Sequence, residues 1–302
     1  QLFFSFKILK KFTNSDLYSV VGSFFFLISP IFINRVDFHV GLSGQWILLF
    51  SLYLGLTSKI EKSKFLWILV INLASLIHFY FTAIIFVVYS ILRISSFYFE
   101  KESLFKLLKD FFIISIFTLL TLYVVGYFEI KVVDSFGLGF GDYKLNLLSF
   151  FDPGPTANDV FWSRFLPDIK LSLGEQLEGF NYLGLGQMIM LFFAFIIFFN
   201  KNYRESLLSI KNNKKIKIFV LISFLFTLWA LSNKISIGSY TIIEIPLNKY
   251  IYGLLSIIRS SGRVFWIVNY FLLILSIIII YTSFKKKHSL SIVILFLVIQ
   301  II

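Results

Sequence analysis

The sequence predicts an all-α polytopic membrane protein, and three observations carry that prediction. The chain is 58% apolar and only 15% charged, with mean hydropathy +0.86, whereas soluble domains carry about a quarter charged residues. Between Phe65 and Leu92 there is no Asp, Glu, Lys or Arg. Further apolar segments recur near 17–34, 43–58, 111–127, 183–199, 216–232, 264–283 and 289–302. With 65–92 counted as two arms, about nine membrane segments are expected in a single transmembrane domain spanning 1–302.

The run 65–92 sets the orientation. One straight helix over it would be roughly 42 Å long, against a hydrocarbon core of roughly 30 Å. Two readings compete: one long tilted helix, or a short broken hairpin turning near His78. A hairpin places 19 of the 28 basic residues on one side, whereas a single span splits them 14 against 14. The positive-inside rule favours the hairpin. Each arm is then near 21 Å long at about 1.5 Å per residue, too short to cross alone. The turn at His78 to Tyr80 is therefore expected near the outer face, surrounded by protein or lining a water-filled cavity.

The +12 net charge fits the same topology. The excess lies in the inside loops, where it orients the chain and meets anionic headgroups; no nucleic-acid partner is expected. Without cysteine there is no disulfide framework and no thiolate metal site. Gln1 is not a methionine and Ile302 ends inside an apolar run, so a piece of a longer protein is expected.

Lys7, Lys10 and Lys11 mark an inside start. The first span, about 17–34, ends at Ser29-Pro30, and the chain leaves the membrane through Asn34-Arg35-Val36-Asp37-Phe38-His39. Arg35 and His39 are four apart, so a helical turn would put both on one face, where they could hold an anion. The plainer reading is interfacial anchoring. Gln45-Trp46 opens the second span and Lys59 to Lys64 close it. His78 follows within an apolar arm. Bonding a neighbouring helix is the plainer reading, but ionisable groups in a membrane are costly to bury and mark function.

The basic loop 93–110 is expected inside, and 111–127 leads out to a long outer segment, 128–182. Its Gly137-Leu138-Gly139-Phe140-Gly141 run lacks the strand–turn–helix setting of a dinucleotide loop, so turns are expected there. Six carboxylates from Asp142 to Glu178 match no hard-ion loop in spacing; no cofactor is predicted, and nothing beyond their number argues for a divalent cation. The aromatic content suggests a segment lying on the membrane surface. Span 183–199 returns inside to the Lys/Arg cluster 201–217, and 216–232 leads to a second outer loop, 233–263. That loop ends Arg259-Ser260-Ser261-Gly262-Arg263 at the start of an apolar helix. Arginines beside backbone amides at a helix start make a phosphate cradle; snorkelling to the headgroups is the alternative. Lys285 to Lys287 form the last inside turn.

Five stretches resemble a bacterial family of multi-pass membrane proteins of unknown function. They are SPIFINRVDFHVGLSGQW (29–46), LIHFYF (76–81), GDYKLNLLSFFDP (141–153), EGFNYLGLG (178–186) and RSSGRVFW (259–266). That family is similar in architecture to the C-type glycosyltransferases, which use polyprenyl-phosphate sugar donors. The resemblance implies a hexosyl transfer to an acceptor hydroxyl at the outer face of the bacterial cytoplasmic membrane, with the bilayer and a lipid-linked sugar donor as partners. For that chemistry the candidate phosphate ligands are Arg35, His39, His78, Arg259 and Arg263, all expected near the outer surface, and the candidate acceptor contacts are Asp142 and Glu178. The acidic residue that takes the hydroxyl proton in such enzymes follows their first span and is expected upstream of this chain; Asp37 is the nearest carboxylate within it. Two other classes stay open: a transporter or flippase of a lipid-linked or anionic solute, and an O-antigen polymerase or ligase.

Overall fold

The computed structural model describes residues 1–129, 139–154 and 161–301, apart from the side chains of Asp37 and Phe38. Helix α1 (Leu2–Thr13) turns at Asn14, in a left-handed conformation, into α2 (Asp16–Leu27). A second helix, α3 (Pro30–Phe38), meets α2 at a 53° bend. The expected single span 17–34 is thus two helices. Pro30 is the cause: it suits the first turn of a helix, but its ring and missing N–H prevent continuation from the turn before.

A 3₁₀ turn (Val40–Ser43) leads into α4 (Trp46–Thr57). Helices α5 (Lys64–Ile77) and α6 (Phe79–Glu100) follow, broken only at His78, and they pack against each other. Of the two readings of 65–92, the structure takes the hairpin. Thr82 Oγ1 donates to Ser75 Oγ at 3.1 Å across the turn. The arms are unequal, however. The first has 14 residues, whereas the second runs 22 and passes straight through Arg93. Most of the expected inside loop 93–110 is therefore helical, since α7 (Leu104–Val124) starts almost at once.

The reason is charge pairing. Arg93 is fully buried, with Nε donating to Asp110 at 2.8 Å and Nη2 to Glu102. Lys64 bridges to the same Asp110 at 2.6 Å, and Lys106 pairs with Glu102. A paired charge can stay inside a helix bundle where an isolated one would have to leave it.

The second half comprises α8 (Leu173–Leu177), α9 (Leu185–Phe199), α10 (Leu208–Lys211), α11 (Lys214–Leu231), α12 (Lys249–Ser256), α13 (Phe265–Ser283) and α14 (Lys286–Ile301). A two-stranded antiparallel hairpin, β1 (Lys234–Ile237) and β2 (Tyr240–Glu244), interrupts the helices. It departs from the all-α expectation. The alternation in Lys-Ile-Ser-Ile and the turn at Gly238, whose φ is +57°, are its signals.

Among the described residues four stretches are long and apolar enough to cross a membrane: Val40–Thr57, Phe79–Glu100, Leu104–Val124 and Ser261–Ser283. The bent α2–α3 pair makes five if it counts as one span. The nine segments expected are not all supported: α5 and α9 are shorter apolar helices, of 14 and 15 residues. Helix α13 is the central strut, packing against α1, α4, α9, α11 and α14. Every residue from Phe265 to Phe271 is buried on it, which is why its sequence is apolar on nearly every face.

Candidate functional site

The site forms where three breaks in the helices meet, at the end that the charge pattern assigns to the outside. They are the α3–α4 connection, the α5–α6 turn and the approach to α13. Two glycines set the register. Gly179 and Gly262 lie backbone to backbone; a Cβ on Gly262 would stand 2.7 Å from the Gly179 Cα. Asn181 clamps the pair, its Nδ2 donating to Gly179 O at 2.9 Å and Gly262 O at 3.1 Å. The residues next to the glycines, Glu178 and Arg263, are thereby brought face to face.

Arg263 grips Glu178 with both arms of its fork, Nε to Oε2 at 2.7 Å and Nη2 to Oε1 at 2.6 Å. This bidentate geometry is the strongest form of such a pair. Arg35, from the last turn of α3, joins from the other side, with Nη1 3.2 Å from Glu178 Oε2. Its Nη2 donates to Leu177 O at 2.8 Å, and its guanidinium lies 5.4 Å from the Trp266 ring centre. Arg263 stacks over Tyr80 at 4.6 Å. Arg35 is 1% and Glu178 14% exposed. Burial by itself would raise the Glu178 pKa, but the Arg263 hydrogen bond and the charges of Arg35 and Arg263 hold it below the usual carboxylate range. Two arginines share one carboxylate, so the cluster keeps one positive charge.

His78 ends α5 and caps α6, its Nδ1 accepting from Tyr80 N at 3.3 Å. An accepting nitrogen carries no proton, so in the neutral ring Nε2 is the donor. The His39 ring stands 5.8 Å away, at an edge-on angle. His39 does not share a helical face with Arg35. It is the C-cap of α3, exposed, with its amide bonded to Arg35 O at 3.0 Å.

The structure thus brings Arg35, His39, His78, Arg263 and Glu178 together. It leaves Arg259 apart: exposed, with its guanidinium 5.9 Å from the Tyr143 ring centre. The backbone half of the expected phosphate cradle is corrected. The amides of Ser260, Ser261, Gly262 and Arg263 are all bonded within the protein, to Tyr80 Oη, Arg259 O, Tyr143 O and Ser260 O respectively. No backbone amide of that turn is left for a ligand. Asp142 accepts from Gly139 N at 3.0 Å, closing a local turn. The Asp37 side chain lies outside the described residues. Among the described residues no cluster of three or more His, Asp or Glu is placed to hold a metal ion.

Where it is described, the expected outer segment 128–182 packs onto the end of α11 and the second loop. Leu145 N donates to Ala230 O and Leu147 N to Ser236 O. Lys144 pairs with Glu175 at 2.8 Å, both buried, and Asn146 Nδ2 donates to the same Glu175 at 3.1 Å. This network anchors α8, which ends directly before Glu178.

Several contributors are invisible to sequence reasoning: Tyr80 and Trp266 as arginine platforms, Asn181 as clamp, and Leu177 O as acceptor. The one available signal is their adjacency to the residues singled out: Tyr80, Asn181 and Trp266 lie within LIHFYF, EGFNYLGLG and RSSGRVFW, and Leu177 directly precedes Glu178.

Beside the cluster an apolar cavity of about 300 Å³ lies between α6 and α11. Ala83, Val87, Leu225 and Trp229 line it, with Ile258 and Val264, the chain neighbours of Arg259 and Arg263.

A family model described as a domain of unknown function, DUF6311, matches residues 1–302. No curated protein and no solved structure matches the chain.

Proposed function

The chain belongs to that DUF6311 family, and with no activity supplied by its description we propose a function from the site: a membrane glycosyltransferase of the C-type architecture, transferring a sugar from a polyprenyl-phosphate carrier to an acceptor hydroxyl at the outer face of the cytoplasmic membrane. One observation carries the reading: two buried arginines with one carboxylate between them, one of them next in the chain to the wall of an apolar cavity between α6 and α11. A lipid-linked phosphate has matching parts, an anionic head and an apolar tail.

Displacement of the phosphate builds negative charge on the leaving oxygen. Fixed cations in a site screened from water stabilise that charge. Arg35 and Arg263 supply them, each held over an aromatic ring. His78 adds a neutral donor through Nε2. The apolar wall formed by Ala83, Val87, Leu225 and Trp229 takes the first isoprene units of the tail. The acceptor hydroxyl must also give up a proton to a base, and this reading assigns that step to no residue of the described cluster.

The test is genetic and chemical. A strain lacking the protein should accumulate a polyprenyl-phosphate sugar and lose that sugar from an envelope glycan, both read by mass spectrometry. The wild-type chain should restore the glycan, and Arg35→Ala and Arg263→Ala should not. Full restoration by both variants would overturn the assignment.

A further inference from the structure

The two arginines offered to a ligand are already occupied, and that occupancy has a consequence. The Glu178 carboxylate has no hydrogen-bond partner other than Arg263 among the described residues, and its remaining close charge is Arg35. The arginines, by contrast, each have a further contact besides it. Arg35 is fixed by Leu177 O and the Trp266 ring, and Arg263 by the Tyr80 ring and the Gly179–Gly262 apposition behind it. Arg35 Nη1 is buried and makes no hydrogen bond among the described residues: it faces Glu178 at 3.2 Å but off the hydrogen-bond direction. The carboxylate fits Arg263 well and Arg35 poorly. A tetrahedral anion, with oxygens out of one plane, can turn one toward each fork, whereas this carboxylate, aligned on Arg263, leaves Arg35 Nη1 unmatched.

We infer that Glu178 is an internal stand-in for the ligand: a phosphate-headed anion binds Arg35 and Arg263 by displacing the Glu178 carboxylate, which sets the affinity and selectivity of the site. This rests on the proposed function, whose phosphate ligands it refines. Glu178 is the most exposed of the three ion-pair partners and sits at the end of the five-residue helix α8. It can swing out to water while both arginines stay in place. Ligands without a charged head cannot compete, because removing the carboxylate would leave two buried cations unpaired.

The experiment uses the purified chain in neutral detergent, with dodecyl phosphate as the probe, inorganic phosphate as the tail-free comparison and dodecanol as the uncharged one. Affinity is read from the concentration dependence of the melting temperature, since a ligand of the folded state raises it by mass action. Glu178→Gln should melt below wild type in phosphate-free buffer and recover with dodecyl phosphate. Its apparent affinity should be about tenfold or more tighter than wild type, equivalent to about 1.4 kcal/mol of relieved competition. Dodecanol should do nothing. Inorganic phosphate matching dodecyl phosphate would assign the site to the free anion rather than a lipid head, and displacement would stand. Arg35→Ala combined with Glu178→Gln should lose the gain.

Equal affinity of wild type and Glu178→Gln would overturn displacement and leave the arginine site intact. No binding by either would overturn the phosphate-site reading as well. Should Glu178→Gln not fold, Glu178→Asp serves: one methylene shorter, it can no longer reach both arginines, and the affinity should tighten by a smaller factor. Unchanged affinity in that variant would count against displacement.

Discussion

Gly179 and Gly262 touch through their backbones, 83 residues apart in sequence, and this contact puts Glu178 on Arg263. Neither glycine has a positive φ; both are needed for lack of a side chain. Gly262→Ala would drive a Cβ into the Gly179 Cα. The expected result is a loss of about 1–3 kcal/mol, the usual cost of overpacking, and separation of the two loops. The melting temperature of the variant in detergent checks the first. A cross-link between cysteines placed at 178 and 263, formed readily in an otherwise wild-type chain and poorly with Gly262→Ala, checks the second.

His78 has two roles that substitution can separate. Its Nδ1 caps α6, and its ring stands beside the cluster, 5.8 Å from that of His39. Asn at this position still accepts from the Tyr80 amide, whereas Ala does not. His78→Ala should therefore lose about 1 kcal/mol of stability, as for other N-caps, and His78→Asn should lose little. Both should weaken phosphate binding, because neither presents the imidazole donor. A His78→Asn variant with wild-type binding would confine His78 to capping.

Arg93 tests the opposite end of the molecule. Removing it leaves Asp110 and Glu102 buried, with only Lys64 and Lys106 as partners. Breaking a buried pair in this way costs about 3–5 kcal/mol. Arg93→Ala should reduce the folded yield on size-exclusion chromatography and lower the melting temperature by many degrees. It should leave the affinity of the surviving folded fraction for dodecyl phosphate unchanged, since the site lies at the far end of α6.

Asp152 gives a pH dependence. It is 2% exposed and accepts from Gly154 N and Ile169 N, each at 3.3 Å. Burial raises its pKa to about 6 from 3.8, with the charge of Asp168 adding to it, while the two amide bonds act the other way. The folded state thus holds this proton more tightly than the unfolded chain does. Its contribution to stability is full below the ordinary pKa of 3.8 and is lost as pH rises through about 6. Asp152→Asn keeps an acceptor for both amides and carries no charge. Its melting temperature should exceed wild type at pH 7.5, and the difference should close by pH 4.

The membrane class, the broken hairpin at His78 and most residues of the candidate cluster were legible in the sequence. Each of these follows from composition or from short-range pattern: apolar runs, the one-sided Lys/Arg distribution, and charged or ionisable residues in places that cannot afford them unpaired. Helix ends at charges were read less well. Arg93 marks no boundary, because Asp110 and Glu102 neutralise it inside the bundle. Only the tertiary structure decided that pairing, and only it decided the site. Arg35, Tyr80, Glu178 and Arg263 come from four separate stretches of chain, and no local rule relates them. Their meeting depends on the close backbone approach of Gly179 to Gly262 and on the Asn181 clamp. Sequence alone also offered the amides of Ser260 to Arg263 as a phosphate cradle. Folding consumed them, because buried amides must find partners, and here the partners are Tyr80, Tyr143 and the turn itself.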